Sequence, residues 1–397
     1  MRFLTRTVLV LSFVSLFADI ASEMLYPVLP AFLDGIGFGA MGIGMLEGVA
    51  VLISGFGNVW FGSLSDQLDR RYIFIRSGYF LSAIGKPLMG LLPFVGPVFL
   101  ARSVDRLGKG MRGAARDAVL VSEAAPEDRG KVFGFHRGMD TLGAVIGPVL
   151  ALIFLHYYPE DLATILILSI FPGLLSVAIT LFLPKEPLSK PKPDRIRPFK
   201  GIFQFWKAAS PEYRRLLFGF LAFSLLNSSD LLLLLRAGDL GVPVPNVVQA
   251  YILFNIVYAL MSFPLGGIGD KIGFKAVYLA GLVVFGAVYA GMAFATTEWE
   301  IYLLFALYGC FSAAHDGIAK SWLSLFISPE SRATGLGLYK FSYNSVRFLA
   351  SPLLGLLWLL MGGGNAFLTV GIATLACILP FIFLLPSKHL AAKARNR

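Results

Sequence analysis

Charge is scarce in this sequence: 15% of its 397 residues are Asp, Glu, Lys or Arg, against 56% hydrophobic. A soluble domain of that length needs far more charged surface to stay in solution. Cysteine is scarcer still. Cys310 and Cys377 both fall inside apolar runs, which excludes a disulfide framework and leaves two small buried hydrophobes with no metal-ligand spacing. The four histidines, at 136, 156, 315 and 389, are scattered, and neither H-E-x-x-H nor G-x-S-x-G occurs. A membrane enzyme would need such a constellation, so no enzymatic activity, metal or cofactor is expected. The absence of a G-x-x-x-x-G-K-[ST] loop disfavours a pump driven by ATP.

What the chain has instead is apolar runs of roughly 20 residues, the length a helix needs to cross a bilayer core of about 30 Å. They recur from end to end, with 42 Gly and 22 Pro of a kind that membrane helices tolerate. The runs predict an all-α membrane protein with twelve transmembrane helices. Their spans are near 7–32, 41–64, 72–92, 97–120, 131–155, 162–183, 215–236, 246–268, 274–295, 302–326, 334–360 and 366–386. The basic start, Met1 to Arg6, resembles a signal peptide, but no small-x-small cleavage site follows and the apolar run continues past Tyr26 to Leu33. It reads as an uncleaved first helix.

Positive charge is absent from every second connection. The segments 33–40, 93–96, 156–161, 237–245, 296–301 and 361–365 contain no Lys or Arg, and their fixed charges are Asp34, Glu160, Asp161, Asp239, Glu298 and Glu300. The alternate connections hold Arg70, Arg71, Arg129, Lys131, Lys271, Lys275 and Arg332, and the tail adds Lys388, Lys393, Arg395 and Arg397. Basic loops stay on the cytoplasmic side, so a multi-pass protein of the inner (plasma) membrane is expected, with both termini cytoplasmic. The same placement explains the net charge of +10 without nucleic acid. Between the sixth and seventh runs, residues 184–214 are rich in Lys, Arg and Pro and read as a basic cytoplasmic linker. Within it, Ile202, Phe203, Phe205 and Trp206 either lay a short amphipathic helix on the membrane surface or belong to a plain linker. The division is then 1–183, 184–214 and 215–397.

The two halves repeat one another. Gly62-Ser-Leu-Ser-Asp66-Gln-Leu-Asp69-Arg70-Arg71 and Gly266-Gly-Ile-Gly-Asp270-Lys271-Ile-Gly273-Phe-Lys275 both fit G-x-x-x-D-x-x-x-x-[RK], 204 residues apart from Gly62 to Gly266. Pro126-Glu127-Asp128-Arg129 recurs as Pro329-Glu330-Ser331-Arg332 at an offset of 203. Two matches at nearly one offset mark a duplicated six-helix unit, and parallel repeats of this kind are one transporter design.

On these residues the whole chain resembles the major facilitator superfamily. The segment from Gly62 to Arg71 is similar to that superfamily's loop signature, with Asp69 for the usual Gly; the second copy keeps Gly273. Gly143-Ala-Val-Ile-Gly147-Pro148 resembles the G-x-x-x-G-P motif of antiporters, without its trailing Gly pair. Arg102, Gly108 and Gly110 resemble the fourth-helix R-x-x-x-G-x-G-x-G motif, with Arg106 at the first Gly. The runs Asp105 to Gly110, Arg116-Asp117 and His136 to Asp140 resemble a largely uncharacterised bacterial and archaeal branch. The resemblance implies two pseudo-symmetric six-helix halves and secondary active transport of a small organic solute by alternating access. It further implies export by proton antiport. The alternatives are a proton-coupled uptake symporter for an organic anion and, more remotely, a non-transporting membrane sensor on the same fold.

Ionisable residues at mid-span are costly, and they normally face the bundle interior or a water-filled cavity. Asp19 and Glu23 lie four residues apart near the middle of the first span, on one helix face, and Asn227-Ser228-Ser229-Asp230 is central in the seventh. Glu47, Asp140 and His315-Asp316 add further titratable groups. Carboxylates enclosed away from water can load and release protons near neutral pH, so Asp19, Glu23, Asp230 and His315 are the candidate proton carriers. For Asp140 a structural pair with a nearby base such as Arg137 is the expectation. In the fourth span Arg102, Asp105, Arg106, Lys109, Arg112, Arg116 and Asp117 fall inside an arc of roughly 140° at about 100° per residue, as on a helix with a charged inner face. With Lys86, Arg236 and Arg347 the interior bases outnumber the acids. Arg102, Arg112, Arg116, Arg236, Arg347 and Lys86 are therefore the candidate contacts to an anionic or zwitterionic substrate. The loop copies, with Gly62, Asp66, Arg70 and Arg71 in one and Gly266, Asp270, Lys271 and Lys275 in the other, are expected to close the cytoplasmic face through charge-assisted hydrogen bonds. Asp105, Arg137, Asp140, Gly143, Gly147 and Pro148 are assigned structural roles. The expected partners are the small-molecule substrate, protons and the lipid bilayer, with the protein monomeric.

The orientation is testable directly. Single cysteines replacing Asp34, Pro159 or Glu298 are expected to react with an impermeant thiol reagent added to intact cells, and one replacing Lys192 is not. Labelling at Lys192 from outside would reverse the topology.

Overall fold

The computed structural model of the chain describes residues 4–68, 70–124, 128–186, 198–328 and 331–385, with backbone alone at 66, 129, 130, 198–202, 332 and 333. The expected features at Asp69, Pro126-Glu127, Lys192 and Pro329-Glu330, and the basic tail, lie outside those residues.

Helices account for nearly all the described chain, and no strand occurs among the described residues. The first span is a helix pair, α1 (Arg6–Leu25) and α2 (Leu29–Gly35). Four long helices follow: α3 (Gly39–Leu68), α4 (Arg71–Leu91), α5 (Val95–Glu123) and α6 (Arg129–Tyr157). The sixth span is again a pair, α7 (Leu162–Leu168) and α8 (Ile170–Ile179). After α9 (Pro198–Ala208), the seventh span is α10 (Pro211–Ser224) with α11 (Asp230–Asp239). The last five are α12 (Val244–Ile272), α13 (Phe274–Phe294), α14 (Glu298–Ser324), α15 (Arg332–Met361) and α16 (Gly363–Leu384). That makes twelve spans. Nine among the described residues are long and apolar enough to cross a membrane by length and composition alone. The other three are α4 and α5, whose hydropathy is lowered by Lys86 and by the charges from Arg102 to Asp117, and the seventh span, which is broken.

Several of the apolar runs are broken within the span. The run 7–32 is interrupted at Tyr26-Pro27-Val28, where Pro27 has no N–H to continue the ladder. The run 215–236 is interrupted over Leu225–Ser229 and starts earlier than expected, at Pro211. Ser210 Oγ accepts from Tyr213 N at 3.2 Å, Pro211 occupies the first helical position and Glu212 the first turn, which together make a strong helix start. On α14, Thr297 and Glu300 form a reciprocal capping box. Gly273, between α12 and α13, has φ +101°, a conformation that glycine adopts without strain.

Part of the stretch read as linker is the helix α9, which docks on α10. Phe205 meets Tyr213 edge-on at 5.2 Å, and Trp206 meets Phe218 at 5.9 Å. Arg214 lies over the Trp206 ring at 5.2 Å and donates to Trp206 O at 2.8 Å.

The chain forms two compact units, residues 1–38 with 49–198, and residues 39–48 with 199–397. Within each, glycines let backbones approach closely, the usual device for packing membrane helices. A Cβ on Gly78 would lie 2.7 Å from Gly108 O, and one on Gly85 would lie 2.8 Å from Asp105 N, which fixes α4 on α5. Gly143 and Gly147 press α6 on α1 in the same way, with Leu16 O and Met24 N each 2.7 Å from the missing Cβ. In the second unit Gly44 and Gly48 seat the start of α3 on Ser351 and Phe348 of α15, and Gly309 seats α14 on Phe254 of α12.

Both units also tie the start of their third span to the end of their last. Arg76 Nη2 donates to Thr180 O at 3.4 Å, and Glu186 Oε1 accepts from Tyr72 N at 2.9 Å. In the second unit Lys275 Nζ donates to Ile382 O at 2.6 Å and Leu385 O at 2.8 Å. Basic side chains thus satisfy carbonyls that a helix C-terminus leaves open.

Candidate functional site

Charges placed on inner helix faces gather into one cluster per unit. In the first unit the tightest group surrounds Asp105 on α5. Lys86 Nζ lies 3.0 Å from Asp105 Oδ1 and Arg102 Nη1 lies 3.6 Å from Oδ2. Arg106 stands at 3.9 Å. Lys86 and Arg102 are each only 2% exposed, and this carboxylate answers part of their desolvation, with Ser82 O accepting from Lys86 at 3.0 Å. Three bases on one acid make a buried network that must stay complete to be tolerated. Arg112, about two turns along α5 from Asp105, donates from Nη1 to Ser82 Oγ at 2.6 Å, and its guanidinium lies 4.3 Å from the centre of the Tyr79 ring. Arg116 is held by its neighbour Asp117 at 3.0 Å and donates to Ser15 Oγ at 3.2 Å.

Asp19 on α1 stands close enough to Asp140, Lys109, Glu23 and Arg112 for each to act on its charge. Helices α1, α5 and α6 therefore bring acids and bases together on the inner face of this unit. Gly143 contributes to that arrangement, because a Cβ there would lie 2.9 Å from Asp19 Cβ. Gly147 sits a turn further along α6 next to Pro148 inside the helix. Beside Asp140 stands His136, whose Nε2 lies 3.8 Å from Oδ1 and whose Nδ1 lies 3.3 Å from Ser12 Oγ. Arg137, one residue further along α6, is exposed.

The second unit builds its cluster on the broken seventh span. Asp230 is the first residue of α11, just past the break. Tyr308 O–H donates to Asp230 Oδ1 at 2.7 Å, and Arg347 Nη2 stands 3.9 Å away. Arg347 also donates to the break's open carbonyls, Asn227 O and Ser228 O, each at 3.3 Å. Ser229 N donates to Ser351 Oγ at 2.9 Å, Ser229 Oγ donates to Glu47 Oε2 at 3.3 Å, and Asn227 Nδ2 donates to Tyr343 O–H at 2.9 Å. Arg347 and Ser351 of α15 thus replace helical hydrogen bonds lost at the break, as irregular backbone at membrane depth requires, and Glu47 of α3 and Tyr343 of α15 hold its side chains.

His315 is not at that break. It is 3% exposed and lies among Phe223, Tyr278, Phe311 and Tyr343, with ring centroids 5.3 to 5.9 Å away. Its Nδ1 is 3.3 Å from Asp316 Oδ1, and Asp316 Oδ2 accepts from Tyr258 O–H at 3.2 Å. Arg236 sits at the far end of α11, where it donates to Met292 O at 3.1 Å and pairs with Asp239.

Of the loop residues, Gly62 packs on Ala114, with 2.7 Å to its missing Cβ, whereas Gly266 faces open space. The side chain of Asp66 lies outside the described residues. Arg70, Asp270 and Lys271 are exposed and Arg71 is half-buried, while Lys275 caps α16 as described above.

Sequence reasoning did not single out Tyr308, Tyr343, Ser351 or Ser82. A tyrosine or serine in an apolar run carries no charge to mark it, and only the fold brings these hydroxyls to Asp230, Asn227, Ser229 and Arg112. Glu47 was visible as a mid-span acid, but its link to Ser229 was not. Among the described residues no group of His, Cys, Asp and Glu could hold a metal ion.

The buried cluster has a measurable consequence. Asp105→Asn leaves Lys86 and Arg102 without their shared anion, which costs about 3–5 kcal/mol for a broken buried pair. The detergent-solubilised variant is expected to unfold well below the wild type, and Lys86→Met added to it is expected to recover part of the loss. Unchanged thermal unfolding of Asp105→Asn would show that the cluster holds nothing together.

Comparison with known proteins bears on the whole chain. The sequence profile of the Major Facilitator Superfamily matches residues 11–254 and 231–397. An uncharacterised MFS-type transporter of Methanocaldococcus jannaschii is 35% identical over 366 residues, covering 90% of this chain and 89% of that protein. A multidrug resistance protein, MdtG of Salmonella paratyphi A, is 24% identical over 357 residues, covering 84% of each. Among solved structures, the nucleoside transporter NupG superposes with a TM-score of 0.81 at 15% identity, covering 96% of this chain and all of the other. The xylose transporter XylE of E. coli superposes with a TM-score of 0.71 at 14% identity, covering 97% and 98%.

Proposed function

Because the chain belongs to the Major Facilitator Superfamily, we propose that it is a proton-coupled secondary transporter that exports a small organic solute by alternating access. The observation that carries this reading is Asp230. It is a carboxylate at a helix break, hydrogen-bonded by Tyr308 at 2.7 Å and standing 3.9 Å from Arg347. That base also serves two backbone carbonyls of the break. A proton on Asp230 releases Arg347 from the carboxylate and changes the balance of hydrogen bonds that holds the break. Protonation and the shape of the seventh span are coupled in this way, which is what proton-driven transport needs. Asp19 and Glu23 are the corresponding candidates in the first unit.

Export is supported by the likeness of Gly143 to Pro148 to the antiporter motif and by the kinship with a protein named for multidrug resistance. A second reading, uptake of an organic anion with protons, is favoured by Arg112. Its direct contacts are a hydroxyl and a ring, and a guanidinium so placed suits bidentate recognition of carboxylate or phosphate. Lys86, Arg102, Arg116 and Arg236 have carboxylates within the protein, as Arg347 has Asp230 at 3.9 Å, so Arg112 heads the proposed substrate contacts and Arg347 joins it when Asp230 is protonated. The loop residues around Asp66 and Asp270 remain the proposed cytoplasmic gate, and the protein is proposed to act as a monomer with both termini in the cytoplasm.

Transport into proteoliposomes against a panel of labelled metabolites identifies the solute. With it in hand, Asp230→Asn is expected to lose accumulation driven by a pH gradient by about tenfold or more while retaining solute exchange. The same accumulation in Asp230→Asn as in the wild type would move the proton to Asp19, Glu23 or His315.

A further inference from the structure

We propose that the first unit carries a binding site for an anionic phospholipid where the first turn of α4 meets the segment that follows α8. Two concavities flank Ile73 there and share Arg70 and Ile73 as walls. One, of about 500 Å³, is lined by Arg70, Arg76 and Lys185, with Leu183 at its base. The other, of about 480 Å³, is apolar and is lined by Leu68, Ile73, Phe74 and Met111.

The charge of the first cavity is positive in effect as well as in count. Among the described lining residues the acid is Glu186, whose Oε1 accepts the backbone N–H of Tyr72 at 2.9 Å at the N-terminus of α4, where the helix dipole favours an anion. Arg76 reaches Thr180 O with Nη2 at 3.4 Å, but its Nε is buried without a hydrogen-bond partner. A buried donor left open costs free energy and marks a place for an acceptor. Arg70 and Lys185 are both exposed, free to close on a phosphate. Guanidinium groups match phosphate oxygens in geometry, and basic pockets between membrane helices are where acidic headgroups bind.

The apolar concavity decides for a lipid over a soluble phosphate. Leu68 is 50% exposed and Ile73 54% exposed, at the end of spans whose outer surface faces hydrocarbon. A free phosphate or sugar phosphate would leave that groove empty. A phospholipid places its phosphodiester among Arg70, Arg76 and Lys185 and its acyl chain along Ile73, Phe74 and Met111. The site lies wholly on the first unit and does not depend on which solute is transported or in which direction.

The test uses the full chain, purified and delipidated, with lipid retention read by native mass spectrometry. The wild type is expected to retain phosphatidylglycerol at least about tenfold better than phosphatidylcholine. In Arg70→Gln/Lys185→Gln, two exposed positions whose change leaves the fold intact, the preference is expected to vanish while thermal unfolding stays as in the wild type. Arg76→Gln alone is expected to weaken retention in the same sense. Equal retention of the two lipids by the wild type overturns the proposal, as does undiminished phosphatidylglycerol binding by the double variant. Displacement of the lipid by equimolar glycerol phosphate also overturns it, assigning the cavity to a soluble anion instead.

Discussion

Within a bilayer, water answers neither a buried charge nor an open backbone group, and every unusual feature of this chain follows from how those groups are answered. Asp105 is the clearest instance. Lys86 and Arg102 sit almost fully enclosed in a hydrophobic protein, and both are tolerable because one carboxylate lies within 3.0 Å of the first and 3.6 Å of the second. That geometry in turn needs α4 and α5 to run in close contact. Gly78, Gly85 and Gly108 permit it, since a side chain at any of them would strike the facing backbone. Charge and close packing are therefore one design: remove the glycines and the ions lose their distances, remove the acid and the helices carry unanswered cations.

The second unit solves a related problem with hydroxyls and an arginine. The gap between α10 and α11 frees carbonyls and N–H groups at membrane depth. Arg347 and Ser351 satisfy three of them from a helix distant in sequence, while Tyr343 and Glu47 hold the side chains of Asn227 and Ser229. A break held by side chains can be rearranged by changing the charge on one of them, whereas a helical ladder cannot. Asp230 lies at that break and competes with the backbone for Arg347. This competition is the physical basis on which we assign proton coupling there.

Much of the architecture was legible in the sequence because its causes are local. Span length, the alternation of connections with and without Lys or Arg, and the duplicated Gly62 and Gly266 segments each arise from short stretches of chain. The charged face of the fourth span could be read from helical periodicity alone. The helix breaks could not: Asn227-Ser228-Ser229 reads as the polar middle of a span, and the groups that stabilise it as a break lie about 120 residues further on, at Tyr343, Arg347 and Ser351. Partner choice was illegible for the same reason. Sequence spacing pointed to Arg137 as a base near Asp140, and the fold brings His136 to it as well. Arg102 and Lys86 were read as substrate contacts because nothing in the sequence shows that Asp105 serves both. Fewer interior bases remain as candidate solute contacts once these pairs are known, and Arg112, joined by Arg347 when Asp230 is protonated, is a more specific guide to the solute than a count of charges.

The central claim is that a proton arrives at or leaves Asp230 during the transport cycle. Infrared difference spectroscopy of the reconstituted protein on addition of its solute measures this without relying on flux. The account predicts a change in a protonated-carboxyl band in the wild type that is absent in Asp230→Asn and present in Asp140→Asn. A band change of undiminished size in Asp230→Asn would contradict it.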